Sequence, residues 1–170
     1  LLLDGENDFV SPGVLPEFIG HSAFTTSAWF RRTAETAGAT NHSVNNVLIA
    51  QASANSNDNL EIGSENDLLE VYLDTTELGG NVPPIREPAA VQHDTWHHLV
   101  MTYDSSDPWE LKLYLDAVLV NEYDDWGGPL HDSGSSPFTI GLARPTGPAW
   151  GGFEGLIDDL SVWDVALDAQ

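Results

Sequence analysis

The sequence has 170 residues, among which 27 Asp and Glu outnumber 5 Lys and Arg, so its formal charge is −22 at pH 7 with neutral His. Five cations cannot form the basic face that neutralises phosphate groups, which argues against nucleic acid and against an anionic membrane surface as partners. A chain this acidic attracts cations, so calcium, a saline environment or both are expected.

Length and apolar content fit one globular domain over residues 1–170. Hydrophobic residues make up 41% of the chain, and a chain of this size can bury roughly 70% of its unfolded surface. No run approaches the ~20 apolar residues of a membrane-spanning helix, so no membrane insertion is expected. The absence of Cys excludes a disulfide scaffold and a cysteine nucleophile. Because the chain begins at Leu1 rather than Met, we expect a domain excised from a larger multidomain protein.

Alternation of apolar and polar residues with a period of two dominates the sequence and predicts β-strands. In chain order, the predicted strands cover residues 24–30, 47–52, 69–73, 96–103, 111–123, 138–142 and 156–163. Within the fifth of these, the pair Asp116 and Ala117 is predicted to form a hairpin turn between two apolar runs. Only the segment 166–170 has a pattern that could begin a helix.

Turn-rich segments separate the predicted strands and indicate how they connect. These segments cover residues 54–59, 79–84, 124–136 and 145–152. The strands follow one another at intervals of about 8–15 residues without intervening helices, which favours an antiparallel sandwich over an α/β fold.

Six blocks of the sequence resemble laminin-G-like, concanavalin-A-like jelly-roll domains. The blocks cover residues 3–10, 24–30, 95–104, 113–120, 138–141 and 153–163. The third block matches the family's WHHVAxTYD strand, and the fourth matches its LYVDGxLV hairpin with Ala117 in place of the usual Gly. The blocks occur in the family's order and span nearly the whole chain. The resemblance therefore implies an all-β fold, an antiparallel two-sheet β-sandwich, but only loosely a function, because this fold occurs in lectins, adhesion modules, pentraxins and glycosidases.

The resemblance also implies a structural calcium ion near the two ends of the chain, which are neighbours in this family. The candidate Ca²⁺ ligands are carboxylates in the first turn and the last strand: Asp4, Asp8, Asp158 and Asp159. Asp158 has the same parity as Leu156 and Leu160, so we expect its carboxylate to face the apolar side, where it needs a cation or several donors. The alternative is that Asp158 accepts hydrogen bonds from backbone or Trp N–H groups without a metal.

Glycan binding is predicted from residues in the turn-rich segments, since aromatic rings stack on sugar C–H faces while carboxylates and amides bind hydroxyl groups. The candidate ligand-binding residues are Asp58, Asn59, Trp109, Asp124, Asp125, Trp126, His131 and Trp150. Asn and Asp are also ordinary turn residues, and a loop Trp can equally cap the end of a sandwich. The other three tryptophans, Trp29, Trp96 and Trp163, lie in strand blocks and are predicted to be core residues.

A catalytic alternative rests on Glu65, Asp67 and Glu70, which formally fit the E-x-D-x-x-E pattern of laminarinase-type glycosidases. That chemistry needs two carboxylates roughly 5 Å apart. The segment 63–67, however, is predicted to be a turn between two strands, and a turn would direct the carboxylates apart into solvent. We therefore predict no catalytic residue.

Together these features predict a non-catalytic, calcium-associated carbohydrate-binding or adhesion module of an extracellular bacterial protein. Its expected partner is an extracellular or cell-surface glycan, or a protein, and the module is expected to be monomeric. The alternatives are a structural or protein-binding spacer in a large surface adhesin and a laminarinase-type glycoside hydrolase. Carboxylates outside the candidate sites are predicted to form a solvated surface, among them Glu61, Glu70, Glu77 and Asp168.

Overall fold

Two antiparallel six-stranded sheets pack face to face. The computed structural model describes residues 1–15, 18, 20–35, 45–52, 60–66, 68–77, 85–89, 91–107, 110–124, 127–131, 136–144 and 151–168. Within this part of the chain there is no α-helix, and no helix is long and apolar enough to cross a membrane. The predicted all-β, two-sheet sandwich is therefore confirmed. Residues 166–168 are not helical, so the pattern that suggested a helix start there was misleading.

The first sheet contains both ends of the chain. Its strands are β1 (Leu2–Asp4), β3 (Ala23–Arg32), β8 (His97–Asp104), β9 (Leu111–Leu115), β10 (Val118–Tyr123) and β12 (Glu154–Trp163), in the spatial order β1-β12-β3-β8-β9-β10. The second sheet has the order β2-β11-β4-β5-β6-β7, with strands β2 (Val10–Gly13), β4 (Ile49–Gln51), β5 (Leu60–Glu65), β6 (Leu68–Leu73), β7 (Ile85–Pro88) and β11 (Phe138–Ile140). The pairing of β1 with β12 makes the two ends neighbours, as the resemblance implied.

The core lies between the sheets and is filled by alternate side chains of each strand. In β3, Phe24, Ala28 and Phe30 point inward and are at most 5% exposed. Phe18 packs between the sheets, with its ring 5.3 Å from that of Phe24 and 5.6 Å from that of Phe138. Buried apolar area of this kind contributes about 25 cal/mol per Å² and supplies most of the driving force for folding.

A charged side chain also spans the space between the sheets. Arg32, at the end of β3, is 0% exposed. Its guanidinium donates to Ser64 Oγ at 3.3 Å and to the carbonyl oxygens of Asn66 and Val91 at 2.5 and 3.2 Å, and it pairs with Glu35 at 2.5 Å. Because a buried charge is tolerated only with a counter-charge and hydrogen-bond acceptors, this network holds β3 to the β5–β6 hairpin.

The central strands of the second sheet, β4, β5 and β6, are buried on both faces, which the sequence pattern did not predict. Glu61 and Glu70 point away from the core, yet each is 0% exposed. An additional apolar cluster covers this face and consists of Val47, Ala50, Ala52, Tyr72 and Ala143. The assignment of Glu61 and Glu70 to the solvated surface was therefore wrong, because period-two alternation places a side chain on a face but does not say whether distant segments cover that face.

Hydrogen bonds and an ion pair hold the Glu70 carboxylate. Its Oε1 pairs with Arg86 Nε, and its Oε2 accepts hydrogen bonds from the Asn45 backbone N–H at 2.7 Å and from Asn45 Nδ2 at 3.3 Å. Both oxygens of this side chain are therefore engaged as hydrogen-bond acceptors.

Glu70→Gln is expected to lower the free energy of unfolding by about 2–3 kcal/mol, because it removes one partner of a largely buried ion pair and puts an NH₂ group where an acceptor is needed. Urea denaturation measures this loss. Glu6→Gln, the same chemical change at an exposed turn position, is the control and should stay within about 0.5 kcal/mol of the wild type. Equal effects of the two substitutions would contradict a special role for Glu70.

The hairpin between β9 and β10 is confirmed at the predicted Asp116–Ala117 turn. Leu115 pairs with Val118, so the loop has two residues, and both have positive φ, 52° for Asp116 and 63° for Ala117. This is a type I′ turn, whose twist matches that of the flanking strands. Asp tolerates positive φ better than Ala does, so Ala117 is strained where glycine would be relaxed.

Ala117→Gly is therefore expected to raise the free energy of unfolding by about 1 kcal/mol, because it removes the clash of Cβ with the backbone at positive φ. Thermal and urea unfolding both measure the change. Ala166→Gly, at a position whose φ is not positive, should be neutral or destabilising. A lower unfolding midpoint for Ala117→Gly would refute the strain argument.

Candidate functional site

Exposed tryptophans mark the outer face of the first sheet. Trp29 and Trp96 are each 41% exposed, and Trp163 is 38% exposed. Because Ala28 and Phe30 point into the core, the alternation of β3 turns Trp29 outward. The prediction that these three tryptophans are core residues was wrong. The alternation of Trp29 with Ala28 and Phe30 was the sequence signal that could have placed Trp29 on the outer face.

Neighbouring strands hold the Trp29 side chain from both sides. In the sheet register, Trp29 lies opposite His98 on β8 and opposite Asp158 on β12. The His98 ring stacks on the Trp29 ring with centroids 4.9 Å apart and an interplanar angle of 25°. His98 Nε2 is in turn hydrogen-bonded to Ser27 Oγ at 2.8 Å. The indole is therefore fixed on a rigid sheet rather than on a loop.

A β-bulge in β12 places two carboxylates beside Trp29. The register between β3 and β12 shifts between Asp158 and Ser161, so that Asp159 and Leu160 together oppose Ala28. Asp159 adopts φ 46°, and Asp158 Oδ1 accepts a hydrogen bond from the Asp159 N–H at 3.0 Å. Both carboxylates are exposed. A bulge of this kind re-aims side chains and is a recurrent feature near functional sites.

The bulge also corrects the expected orientation of Asp158. We expected its carboxylate to face the apolar side because its parity matches that of Leu160 and Val162. Leu160 and Val162 do pack against the core, whereas Asp158 is exposed on the outer face. The extra residue of the bulge puts Asp158 and Leu160 on opposite faces of the sheet although they are two positions apart. The Asp158 carboxylate therefore needs no buried partner.

Trp29, Trp96, Asp158 and Asp159 line one open cleft. We call it the tryptophan cleft. It combines two indole rings with two carboxylates, and none of its four lining residues is a cation. Arg31, next along the outer face of β3, is paired with Asp94 at 3.0 Å. The arrangement can stack an apolar face of a ligand on indole while carboxylate oxygens accept hydrogen bonds from its polar edge.

The four predicted calcium ligands do not form one ligand set. Asp4 lies opposite Glu154, and Asp158 lies four residues further along β12, roughly 13 Å away. Asp4 accepts a hydrogen bond from the Glu6 N–H at 2.9 Å, and Asp8 is exposed. Calcium takes six to eight oxygen ligands. Across the part of the chain that the structure describes, no group of three or more His, Asp or Glu could hold a metal. Calcium therefore stays a prediction without a complete ligand set among the described residues.

Two of the predicted ligand-binding residues lie in described segments, and neither lines the tryptophan cleft. Asp124 is exposed just after β10. His131 is half-buried beside the bridge between Thr75 and Leu130, and its N–H donates to the Asp74 carbonyl oxygen at 2.9 Å. The remaining six lie outside the described residues and stay predictions: Asp58, Asn59, Trp109, Asp125, Trp126 and Trp150.

The E-x-D-x-x-E segment forms a hairpin, as predicted. Glu65 ends β5, Asn66 turns with φ 53°, and Asp67 lies outside the described residues. The expectation that the turn would expose the carboxylates was wrong for Glu70, which is buried in β6 with both oxygens engaged. A carboxylate held in this way is poorly suited to act as a nucleophile or an acid/base group.

The β9–β10 turn supports the His98 side of the cleft. Asp116 Oδ1 accepts the His98 backbone N–H at 2.8 Å, and Oδ2 is hydrogen-bonded to His97 Nδ1 at 2.8 Å. The Gln92 N–H donates to His97 Nε2 at 3.1 Å, so Nε2 is the acceptor and the proton lies on Nδ1. Desolvation acts to raise the pKa of Asp116, but the hydrogen bonds from His98 and His97 outweigh it and lower the pKa below its usual range.

The Laminin_G_3 family model, described as the concanavalin A-like lectin/glucanases superfamily, matches residues 4–170. The two jelly-roll sheets and the matched residues define the class of this protein as a concanavalin-A-like β-sandwich. The chain belongs to the Laminin_G_3 family, which confirms the resemblance found in the six sequence blocks. A comparison with curated proteins gives no match.

Several solved structures share this fold at low sequence identity. The sialidase CBM40 of Ruminococcus gnavus, bound to α2,3-sialyllactose, is 15% identical with a TM-score of 0.75, over 99% of this chain and 91% of that one. Domain 4 of an extracellular GH43 arabinanase from Geobacillus stearothermophilus, in complex with arabinotriose, is 17% identical with a TM-score of 0.58, over 90% and 66%. A heptameric SAP-like pentraxin of Limulus polyphemus is 15% identical with a TM-score of 0.61, over 95% and 77%. At these identities the likeness concerns the fold.

The lowered pKa of Asp116 predicts a pH-dependent contribution to stability. Because the folded-state pKa lies below the unfolded value of about 3.9, the contribution is present above that value and is lost as the pH falls through the folded-state pKa. Asp116→Asn, which keeps a residue that tolerates positive φ, should lower the free energy of unfolding by about 1 kcal/mol at neutral pH, a modest value because the side chain is half-exposed.

Urea denaturation from about pH 7 down to about pH 3 tests this, since the difference between wild type and variant should shrink toward the acid end. Asp8→Asn, at an exposed position, controls for the removal of one negative charge. A difference that stays constant over the whole range would mean that Asp116 acts through its shape rather than its charge.

Proposed function

We propose that this protein is a non-catalytic carbohydrate-binding module and that the tryptophan cleft is a ligand site. The single observation that supports this most is the exposure of Trp29 and Trp96 beside Asp158 and Asp159 on a rigid sheet. A buried position is the usual place for tryptophan, and an exposed pair facing a cleft is typical of a surface that a ligand covers.

The chemistry of the cleft fits a sugar. A pyranose or furanose ring has an apolar C–H face that packs against an indole and hydroxyl groups at its rim. Ionised carboxylates accept hydrogen bonds from such hydroxyls, and these charge-assisted bonds are stronger than neutral ones. Because Trp29 is stacked on His98, little side-chain freedom is lost when a ligand binds, which favours affinity.

The comparisons support the same class of ligand without identifying it. Two of the structural neighbours are described as bound to α2,3-sialyllactose and to arabinotriose. We place this module outside the cell, as a monomeric part of a bacterial protein that meets glycans there, with calcium as a further ligand of the loops. Each of these points is part of the proposal.

A protein-binding spacer in a surface adhesin is the second candidate. The two edge strands of the first sheet expose apolar side chains, Leu2 at 73% on β1 and Val118 at 65% on β10. Edge strands with exposed apolar residues can pair with another chain. This alternative predicts that Leu2→Lys and Val118→Lys abolish partner binding while tryptophan substitutions do not.

Trp29→Ala and Trp96→Ala are each expected to weaken glycan binding about 10- to 100-fold, which is the loss expected when a buried aromatic contact of roughly 1.5–3 kcal/mol is removed. Affinity electrophoresis and titration calorimetry can measure this with soluble arabinan, mixed-linkage β-glucan, galactomannan and α2,3-sialyllactose as the panel.

Trp163→Ala is the matched control, since Trp163 is exposed on the same face opposite Thr25 but does not line the tryptophan cleft. Thermal unfolding confirms that all three variants fold. The proposal fails if the wild type binds no member of the panel with or without calcium, or if Trp163→Ala weakens binding as much as Trp29→Ala. No reducing ends should be released from any polysaccharide.

A further inference from the structure

A second groove lies on the same face as the tryptophan cleft. It has a volume of about 290 Å³ and is lined by His98, Val100, Thr102, Tyr114, Leu167 and Asp168. Val100 and Tyr114 lie opposite each other on β8 and β9 and form its floor. We call it the tyrosine groove. Its lining combines an aromatic ring and a carboxylate, as in the cleft, with aliphatic groups in addition.

One wall of the tyrosine groove is the segment that follows β12, and this segment is fixed to the sheet. Thr25 Oγ1 donates to the Val165 carbonyl oxygen at 2.8 Å and accepts the Leu167 N–H at 2.9 Å. Thr25 is 0% exposed, while Leu167 remains 42% exposed above it. The wall is therefore anchored by a buried hydroxyl rather than resting loosely on the surface.

The cleft and the groove adjoin at the stacked pair of Trp29 and His98. The His98 side chain stacks on Trp29 at one end and lines the tyrosine groove at the other. Tyr114 lies two strands away from Trp29, across β8, and two residues further along the sheet, so the two backbone positions are roughly 12 Å apart. That distance exceeds the length of one sugar ring, so a ligand that follows the face would place different rings in the cleft and in the groove.

The charges along this path are negative or already paired. Asp158 and Asp159 line the cleft and Asp168 lines the groove. Lys112, on the same face of β9, is bound to Asp107 at 2.8 Å, and this hydrogen bond raises the pKa of Lys112. A ligand carboxylate would therefore meet like charges without a free counter-charge among the lining residues, which costs binding energy.

We propose that the two surfaces form one extended site for an uncharged polysaccharide chain, with at least two sugar-binding subsites, and that the site discriminates against acidic glycans such as sialosides. The inference rests on the proposed function of the tryptophan cleft and adds the length and the charge of its ligand. It separates this protein from the CBM40 neighbour that is described with sialyllactose.

The length of the ligand is tested by calorimetry with two pairs of neutral probes, cellobiose and cellohexaose, and arabinobiose and arabinohexaose. In at least one pair the hexasaccharide should bind about tenfold or more tightly than the disaccharide. Tyr114→Ala should reduce the hexasaccharide affinity to that of the disaccharide and leave the disaccharide unchanged. Tyr114→Phe, which keeps the ring, should behave as the wild type, and Trp29→Ala should weaken both ligands.

The charge of the ligand is tested with lactose and α2,3-sialyllactose, which differ by one sialic acid, and with arabinan against polygalacturonate. Sialyllactose should bind more weakly than lactose, and polygalacturonate should bind at least about tenfold more weakly than arabinan. Equal or tighter binding of the acidic member of either pair overturns the charge assignment.

The outcomes separate this inference from the proposed function. If a disaccharide and its hexasaccharide bind equally and Tyr114→Ala changes neither affinity, the extended site is wrong, while the effect of Trp29→Ala on the disaccharide still supports the tryptophan cleft. If the wild type binds α2,3-sialyllactose and none of the neutral ligands, this inference fails while the proposed function stands; if it binds none of the neutral probes and no member of the panel, both fail together.

Discussion

The alternation of β3 between its two neighbours is the constraint on which the rest of the molecule depends. One set of its side chains, including Phe24 and Phe30, fills the core, and the opposite set places Trp29 on the outer face. A one-residue bulge in β12 then adds Asp158 and Asp159 beside that ring. The same ten-residue strand thus secures the fold and supports the candidate site, which is why the site is rigid.

The two sheets use charge in opposite ways. On the second sheet, carboxylates such as Glu70 are buried under an additional apolar layer and are held by Arg86 and Asn45. On the first sheet, Asp158 and Asp159 are exposed and remain available to a ligand. A net charge of −22 therefore does not describe one uniform surface. Some of its carboxylates are structural, some lie in the cleft, and others are simply solvated.

The fold could be predicted from sequence because strong alternation and turn residues are local signals, as in β8 and at Asp116. The short edge strands β2 and β7 could not, since Pro12 and the charged residues of Ile85–Pro88 break the pattern. The residues of the tryptophan cleft could not be grouped from the sequence either. A bulge adds a residue without any sequence signature, and every later side chain of that strand then points to the opposite face from the one that alternation predicts. The burial of Glu70 depends on contacts with residues distant in sequence, and the periodicity of a strand carries no information about such contacts.

On the outer face of the first sheet, Lys112 is paired with Asp107 and Arg31 with Asp94. None of the residues that line the tryptophan cleft or the tyrosine groove is a lysine or an arginine. Recognition on such a face relies on contact between apolar surfaces and on short-range hydrogen bonds, neither of which salt screens strongly. Seawater and fresh water should then be equivalent media for this interaction. The acidic surface can therefore repel a charged ligand while the same sheet binds an uncharged one by contact, because the two effects act over different distances.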